Sequence, residues 1–150
     1  MLKQVQNKNP NDVRLVFHHY PLDKDCNAGL SQQVHPGSCA ASAAAECAGE
    51  QGKFWEYADL LFVDQKVYTR QDLDTYAGAL SLDMDRFDAC LDDGRMKGRI
   101  QADLEEASRV GIKATPTLVV NGHLIEGLPS LDQFATMLAL EKKQGQRSNE

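Results

Sequence analysis

The sequence lacks the features that mark several common classes of protein. No cluster of Lys or Arg appears, and the formal net charge is -6, so the chain has no basic face for binding nucleic-acid or anionic-lipid phosphates. Its apolar runs are far shorter than the ~20 residues that span a bilayer. The polar start, residues 1–10, shows no signal peptide. These observations predict a soluble, unexported protein without a nucleic-acid partner.

The sequence also lacks a CxxC motif. Its four cysteines are Cys26, Cys39, Cys47 and Cys90. Their spacing excludes a dithiol redox motif and a zinc ribbon, and an even count permits disulfides without requiring them. His18, His19 and His35 lie near the first two cysteines, but this set of residues fits no common zinc spacing. We therefore predict no metal, no cofactor and no catalytic residue within this chain.

The remaining composition is that of one globular domain, which we expect to cover residues 1–150. Val13–His19 is predicted to be a strand, and its apolar run Leu15–Phe17 suits a strand covered on both faces. After a loop, Ser38 is predicted to cap an alanine-rich helix that ends near Gly52. Several shorter helical segments follow, and the last of them extends from Met96 to Val110.

The final third of the chain changes character. Thr117–Val120 is predicted to be a strand, Asn121-Gly122 is the strongest short hairpin signal, and His123–Ile125 is the returning strand. Pro129 and the residues after it open a last helix. The order of one strand, several helices, a hairpin and a helix predicts the α/β class.

Two sets of motifs resemble a known family. The segment Gly111–Gly122, with Thr115-Pro116 directly before an apolar strand, resembles the C-terminal half of the thioredoxin fold. Further motifs resemble the helical insertion of DsbA-like protein-disulfide oxidoreductases and the strand and turn that lead into it. They are Phe17–Asp23, Gln51–Glu56, Leu60–Phe62, Leu82–Phe87 and Cys90. The resemblance covers about Val13 to Leu138 and implies a thioredoxin-like fold with a helical insertion at about residues 38–110.

The resemblance also implies what this chain lacks and what it retains. In this family a strand and a CxxC lie upstream of the position of Val13, so the first strand and the catalytic helix start are missing from these residues. Thr115 and Pro116 are implied to bind substrate, with a cis peptide bond between them. The implied partners are cysteine-containing protein substrates, and the implied location is periplasmic or extracytoplasmic. The segments Asp25–Asn27 and His35–Cys39 resemble a subgroup sometimes found fused to, or working beside, vitamin K epoxide reductase-like membrane proteins, which suggests such a redox partner.

The remaining cysteines admit two interpretations each. Cys26 and Cys39 are candidates for a disulfide that joins the loop to the start of the helix, and the alternative is two unrelated thiols in a reducing compartment. Cys39 at a helix start also has reason for a lowered pKa. Cys47 and Cys90 lie among apolar residues at helical positions, so we expect small buried side chains rather than nucleophiles.

Three functions remain open at this point. The first is a thiol–disulfide oxidoreductase whose CxxC is absent from this chain. The second is a non-catalytic thioredoxin-fold module that binds a peptide or partner. The third is a relative of kappa-class glutathione transferases and chromene-carboxylate isomerases, which use an upstream serine. Without a first strand, Val13–His19 and the hairpin from Thr117 should expose unpaired edges and apolar side chains. We therefore expect an oligomer, a marginally stable chain, or completion by a swapped element or an upstream segment. The alternative is a compact monomer whose remaining strands pair directly.

Overall fold

The computed structural model describes residues 1–64 and 67–147, and the chain divides into two compact units. One unit comprises Met1–Phe17 and the chain from Lys113 onward, and the other comprises His18–Ile112. In chain order the elements are α1 (Leu2–Lys8), α2 (Ser38–Gly49), α3 (Phe54–Val63), α4 (Arg70–Ala79), α5 (Met84–Asp92), α6 (Met96–Arg109), β1 (Thr117–Val120), β2 (His123–Glu126) and α7 (Leu131–Arg147). The helical unit thus contains the whole of the predicted insertion, residues 38–110.

The helical unit has an apolar core built around α2. Apart from Glu46, the buried residues of α2 are alanines and Cys47, and these small side chains let the neighbouring helices α3 and α5 approach closely. Larger side chains fill the space between the helices, and Tyr57, Leu73 and Phe87 are almost completely buried. The Tyr57 hydroxyl donates to the Leu73 carbonyl over 2.9 Å, so the polar atom of this core aromatic is satisfied. Burial of each such side chain contributes about 1.5–3 kcal/mol.

The start of α2 differs from the sequence-based prediction. Ser38 is the first helical residue rather than the cap, and the N-cap is Gly37, whose φ of +83° favours glycine. No side chain within the helix start provides a cap bond. Instead the carboxylate of Asp23 accepts from the backbone N–H of Cys39. A cap supplied from a distant loop leaves no local signal, which is why the sequence pattern pointed to Ser38.

Other helix ends follow from local sequence. Thr69 caps α4 through a complete capping box with Asp72, as the spacing predicts. Asp83 caps α5 by accepting from the N–H of Arg86. Gly111, just beyond α6, has a φ of +80°, the left-handed conformation common after helix C-termini. No helix in the described ranges is both long and apolar enough to cross a membrane.

The other unit contains a two-stranded antiparallel hairpin. Strand β1 pairs with β2 in the register Val120↔His123 to Thr117↔Glu126. The connecting residues Asn121 and Gly122 both have positive φ, 47° and 87°, as a two-residue type I′ turn requires. The turn predicted from Asn-Gly is therefore confirmed, and the second strand is one residue longer than predicted.

The strand predicted for Val13–His19 is wrong, because within the described residues only β1 and β2 pair as strands. The exposure of the segment nevertheless alternates along the chain, with Arg14 and Val16 exposed and Leu15 and Phe17 partly buried. Val16 is 52% exposed, so the segment is not covered on both faces as its apolar run suggested. Composition predicted the extended course, but a strand also needs a paired neighbour, which composition does not reveal.

Candidate functional sites

Cys26 and Cys39 form a disulfide in the helical unit. Their Cα atoms lie 6.0 Å apart across 13 residues of sequence, and both side chains are partly exposed. A backbone hydrogen bond also joins the two chain segments that the disulfide connects, since the His35 N–H donates to the Leu22 carbonyl over 2.7 Å. The structure thus joins the loop to the second residue of α2.

Asp23 lies just before this loop in sequence and is fully buried. Its carboxylate accepts from the Gln33 side chain over 2.7 Å and from the backbone N–H groups of Asp25, at 3.1 Å, and Cys39, at 3.3 Å. Burial raises the pKa of the Asp23 carboxyl, but the hydrogen bonds from Gln33 and the backbone N–H groups of Asp25, Cys39 and Gly37 lower it, and the net pKa lies below its ordinary value. The carboxylate is therefore ionised at neutral pH. Nothing in the local sequence indicated this role.

Cys47 and Cys90 form a second disulfide, a pairing that the sequence analysis did not name. Both are buried as predicted, each only 1% exposed. Their Cα atoms lie 5.8 Å apart, and the bond joins α2 to α5 across 43 residues of sequence. The sequence feature that could have indicated this disulfide is the even number of cysteines, which permits a second pair but does not identify its members.

Two of the histidines near the cysteines, His18 and His19, lie within hydrogen-bond distance of carboxylates. His18 Nδ1 lies 2.8 Å from an Asp103 oxygen, and His19 Nε2 lies 2.9 Å from Glu46 Oε1. The other Glu46 oxygen pairs with Arg99 Nε at 2.8 Å. No group of side chains in the described ranges could hold a metal ion. Both imidazoles thus have carboxylate hydrogen-bond partners in the helical unit.

The loop predicted to bind substrate lies in the other unit. Thr115 and Pro116 are exposed, and the peptide bond between them is cis. The Thr117 hydroxyl donates to the Ala114 carbonyl over 2.6 Å, and the Gly127 N–H donates to the Pro116 carbonyl over 2.8 Å. Thr115 lies between these two bonds. Within the described residues its own backbone N–H and C=O make no hydrogen bond.

The free edge of β1 continues from this loop. Because a two-residue turn places a hydrogen-bonded pair at Val120↔His123, the pair Leu118↔Ile125 is also hydrogen-bonded. The backbone groups of Thr117 and Val119 then point away from β2. No further backbone partner of either residue is found in the described part of the chain. Thr115, Thr117 and Val119 thus offer unpaired donors and acceptors along one edge.

An apolar depression lies between β2 and α7 in the same unit. Its lining residues are Ile125, Pro129, Asp132, Gln133, Thr136 and Met137. Neither Thr115 nor Pro116 is among them, so the predicted substrate-binding loop is an exposed backbone surface rather than part of this depression.

Comparison with known proteins gives a family and a set of relatives. A family described as thioredoxin matches residues 2–139. A protein named Na(+)/H(+) antiporter NhaA 3 from Salinispora tropica is 43% identical over 115 residues, which are 77% of this chain and 16% of that protein. One named Na(+)/H(+) antiporter NhaA 1 from Salinispora arenicola is 40% identical over 124 residues, 83% of this chain and 18% of the relative.

A third relative extends the match along the chain. The Na(+)/H(+) antiporter NhaA of Herminiimonas arsenicoxydans is 35% identical over 141 residues, 93% of this chain and 20% of that protein. The chain thus spans a fifth or less of the length of these curated relatives, and their names describe those whole proteins. No solved structure matches the chain.

Proposed function

We propose that this chain, which belongs to the thioredoxin family, is the substrate-binding part of a DsbA-like thiol–disulfide oxidoreductase. Its substrates are cysteine-containing proteins bound in extended conformation. The 150 residues contain no CxxC, so the exchange of the substrate's own disulfide is not assigned to a residue of this chain. What the chain contributes is the surface that holds the substrate.

The observation that carries the proposal is the unpaired backbone of Thr115. Thr115 is exposed next to Pro116, and its backbone N–H and C=O bond to no other described residue. The outward groups of Thr117 and Val119 extend the same row along β1. An extended peptide can add to such an edge as a further strand, using main-chain hydrogen bonds for affinity. Backbone recognition of this kind accepts many sequences, as a general disulfide oxidoreductase requires.

Binding at this edge would favour thiol–disulfide exchange by holding the cysteine of the bound peptide in a fixed position. A peptide held along Thr115 to Val119 has its cysteine fixed relative to the loop, and a fixed reactant meets an attacking thiol far more often than a free one. The same surface also suits a non-catalytic module that binds a peptide without exchange, and the absence of CxxC favours that second candidate. The two differ in whether the bound cysteine is oxidised or reduced.

The relatives and the resemblance suggest where this part works. The relatives are named Na(+)/H(+) antiporters, and we propose that this chain acts beside a membrane protein on the periplasmic side. A vitamin K epoxide reductase-like redox partner belongs to the same proposal. Antiport itself is a property of the whole relatives and is not assigned here.

Calorimetric titration with an extended peptide tests the proposal. Serine replaces the cysteine of the peptide, so that only non-covalent binding is measured. Thr115→Pro removes the Thr115 N–H, and the loss of one hydrogen bond should weaken binding about tenfold. Thr115→Ala keeps both backbone groups and is the matched control, with affinity expected within about twofold of wild type. Equal losses in both variants, or no binding by the wild type, would overturn the proposal.

A further inference from the structure

We infer that the Cys26–Cys39 disulfide is a reversible thiol-exchange site, which takes electrons from small thiols and cysteine-containing peptides. The inference goes beyond the proposed function, because it concerns other residues in the other compact unit. It assigns different roles to the two disulfides of this unit. Cys47–Cys90 is a permanent link in the core, whereas Cys26–Cys39 opens and closes in the folded protein.

Exposure separates the two disulfides. Cys47 and Cys90 are each 1% exposed and lie among the core residues of the helical unit. An attacking thiolate cannot reach their sulfur atoms without unfolding, because exchange requires direct contact with a disulfide sulfur. Cys26 and Cys39 are partly exposed, and the loop residues 31–36 between them are all exposed. Thiols in solution therefore have access to this pair alone while the core stays intact.

Asp23 makes the opening reversible. It contacts both cysteines by bonds that do not involve the disulfide, since its carbonyl accepts from the Cys26 N–H over 3.4 Å and its carboxylate accepts from the Cys39 N–H over 3.3 Å. The Cys39 Sγ also lies 3.6 Å from the Asp23 carbonyl oxygen. After reduction these contacts hold the two thiols close together, and the Cys39 thiol has an acceptor in place. High local concentration then favours closure of the disulfide.

The exchange proceeds in two balanced steps. A thiolate attacks Cys26 Sγ, a bond forms between the two sulfur atoms, and the Cys26–Cys39 bond breaks to release the Cys39 thiolate. Cys39 is the leaving group because it lies at the start of α2, and its sulfur takes a proton from water. A second thiolate then attacks the mixed disulfide and releases Cys26. In sum two thiols become one disulfide, and the Cys26–Cys39 disulfide becomes two thiols.

Titration of the full chain with glutathione buffers tests the inference. Samples equilibrated at stepped ratios of reduced to oxidised glutathione are quenched with acid, alkylated and mapped by mass spectrometry, while near-ultraviolet circular dichroism reports the folded state. We expect Cys26 and Cys39 to become alkylated with the dichroism unchanged. Cys47 and Cys90 should need a ratio at least roughly tenfold more reducing. If both pairs open together only as the dichroism is lost, or if Cys47–Cys90 opens first, the inference is wrong.

Two variants test whether Asp23 itself, rather than any carboxylate in this loop region, speeds closure of the disulfide. In Asp23→Asn the amide cannot accept from every N–H that the carboxylate binds, so the reduced thiols should close several-fold more slowly and more glutathione should remain bound to Cys26. The exposed neighbour Asp25 provides the control, and Asp25→Asn should close at the wild-type rate. Equal closure rates in Asp23→Asn and wild type would show that Asp23 does not hold the two reduced thiols together.

Discussion

The imidazole of His19 and the carboxylate of Glu46 form a buried pair, with His19 Nε2 2.9 Å from Glu46 Oε1 and the two side chains 4% and 8% exposed. Both lie in the helical unit, where Glu46 belongs to α2 and His19 is the second residue of the unit. The exposed Arg99 reaches the second Glu46 oxygen. The pair holds the first residues of the helical unit against α2.

Removal of this carboxylate should destabilise the helical unit. In Glu46→Ala the buried imidazole and the Arg99 guanidinium both lose their bond to Glu46, and loss of one partner from a buried pair costs about 3 kcal/mol in free energy of unfolding. Urea unfolding measures the change. Glu50→Gln, at the C-cap of the same helix, is the control, because its pair with Arg95 is solvent-exposed and such pairs contribute at most about 1 kcal/mol. Similar losses in both variants would contradict the role of Glu46.

Acid should destabilise the fold through Asp23. Its folded-state pKa lies below the ordinary value of 3.8 because the hydrogen bonds outweigh burial. A depressed pKa contributes stability that is fully present above the unfolded-state value and is lost as the pH falls through the folded-state value. Unfolding measured from pH 6 to about pH 2 should show this loss in wild type, and Asp23→Asn should reduce the dependence on pH. An unchanged profile in Asp23→Asn would exclude Asp23 as its cause.

The isolated chain should show little oxidoreductase turnover. It has no CxxC, so no pair of thiols can attack a substrate and then resolve the mixed disulfide at one site in the usual way. Opening of Cys26–Cys39 consumes one disulfide per chain, so without an added oxidant to close it again the reaction is stoichiometric. Insulin reduction and oxidation of a reduced peptide are the assays. Robust turnover that disappears in Cys39→Ser would contradict this prediction and make Cys26–Cys39 a catalytic pair.

Self-association should occur through the hairpin. Among the described residues each strand of the sheet pairs on one edge only, and Val119 and Leu124 are 54% and 47% exposed. The hairpin therefore resembles the edges that natural proteins protect. Light scattering coupled to size-exclusion chromatography should show association that rises with concentration and falls in Val119→Lys. Val63→Lys, at an exposed position outside the sheet, should leave association unchanged. A monomer that melts cooperatively above about 60 °C would contradict the prediction.

Local patterns predicted the parts of this fold that depend on neighbouring residues. The Asn121-Gly122 turn and the capping box at Thr69 follow from adjacent side chains and backbone preferences, and both are present. Contacts between distant residues were not predictable in the same way. The pairing of Cys47 with Cys90 spans 43 residues, and the capping of α2 by Asp23 depends on the path of a loop with no periodic pattern. Of these long-range contacts, the one between Asp23 and the Cys39 N–H belongs to the candidate exchange site.

Mapping of a bound peptide by nuclear magnetic resonance tests the central claim most directly. The claim is that an extended peptide adds to the backbone edge formed by Thr115, Thr117 and Val119. On titration with the serine-substituted peptide, the amide signals of these three residues should shift together, and their hydrogen exchange should slow as new hydrogen bonds form. The amides of Leu118 and Val120, which face β2, should change little. Binding that leaves the Thr115, Thr117 and Val119 amides unshifted, or no binding at all, would contradict the account.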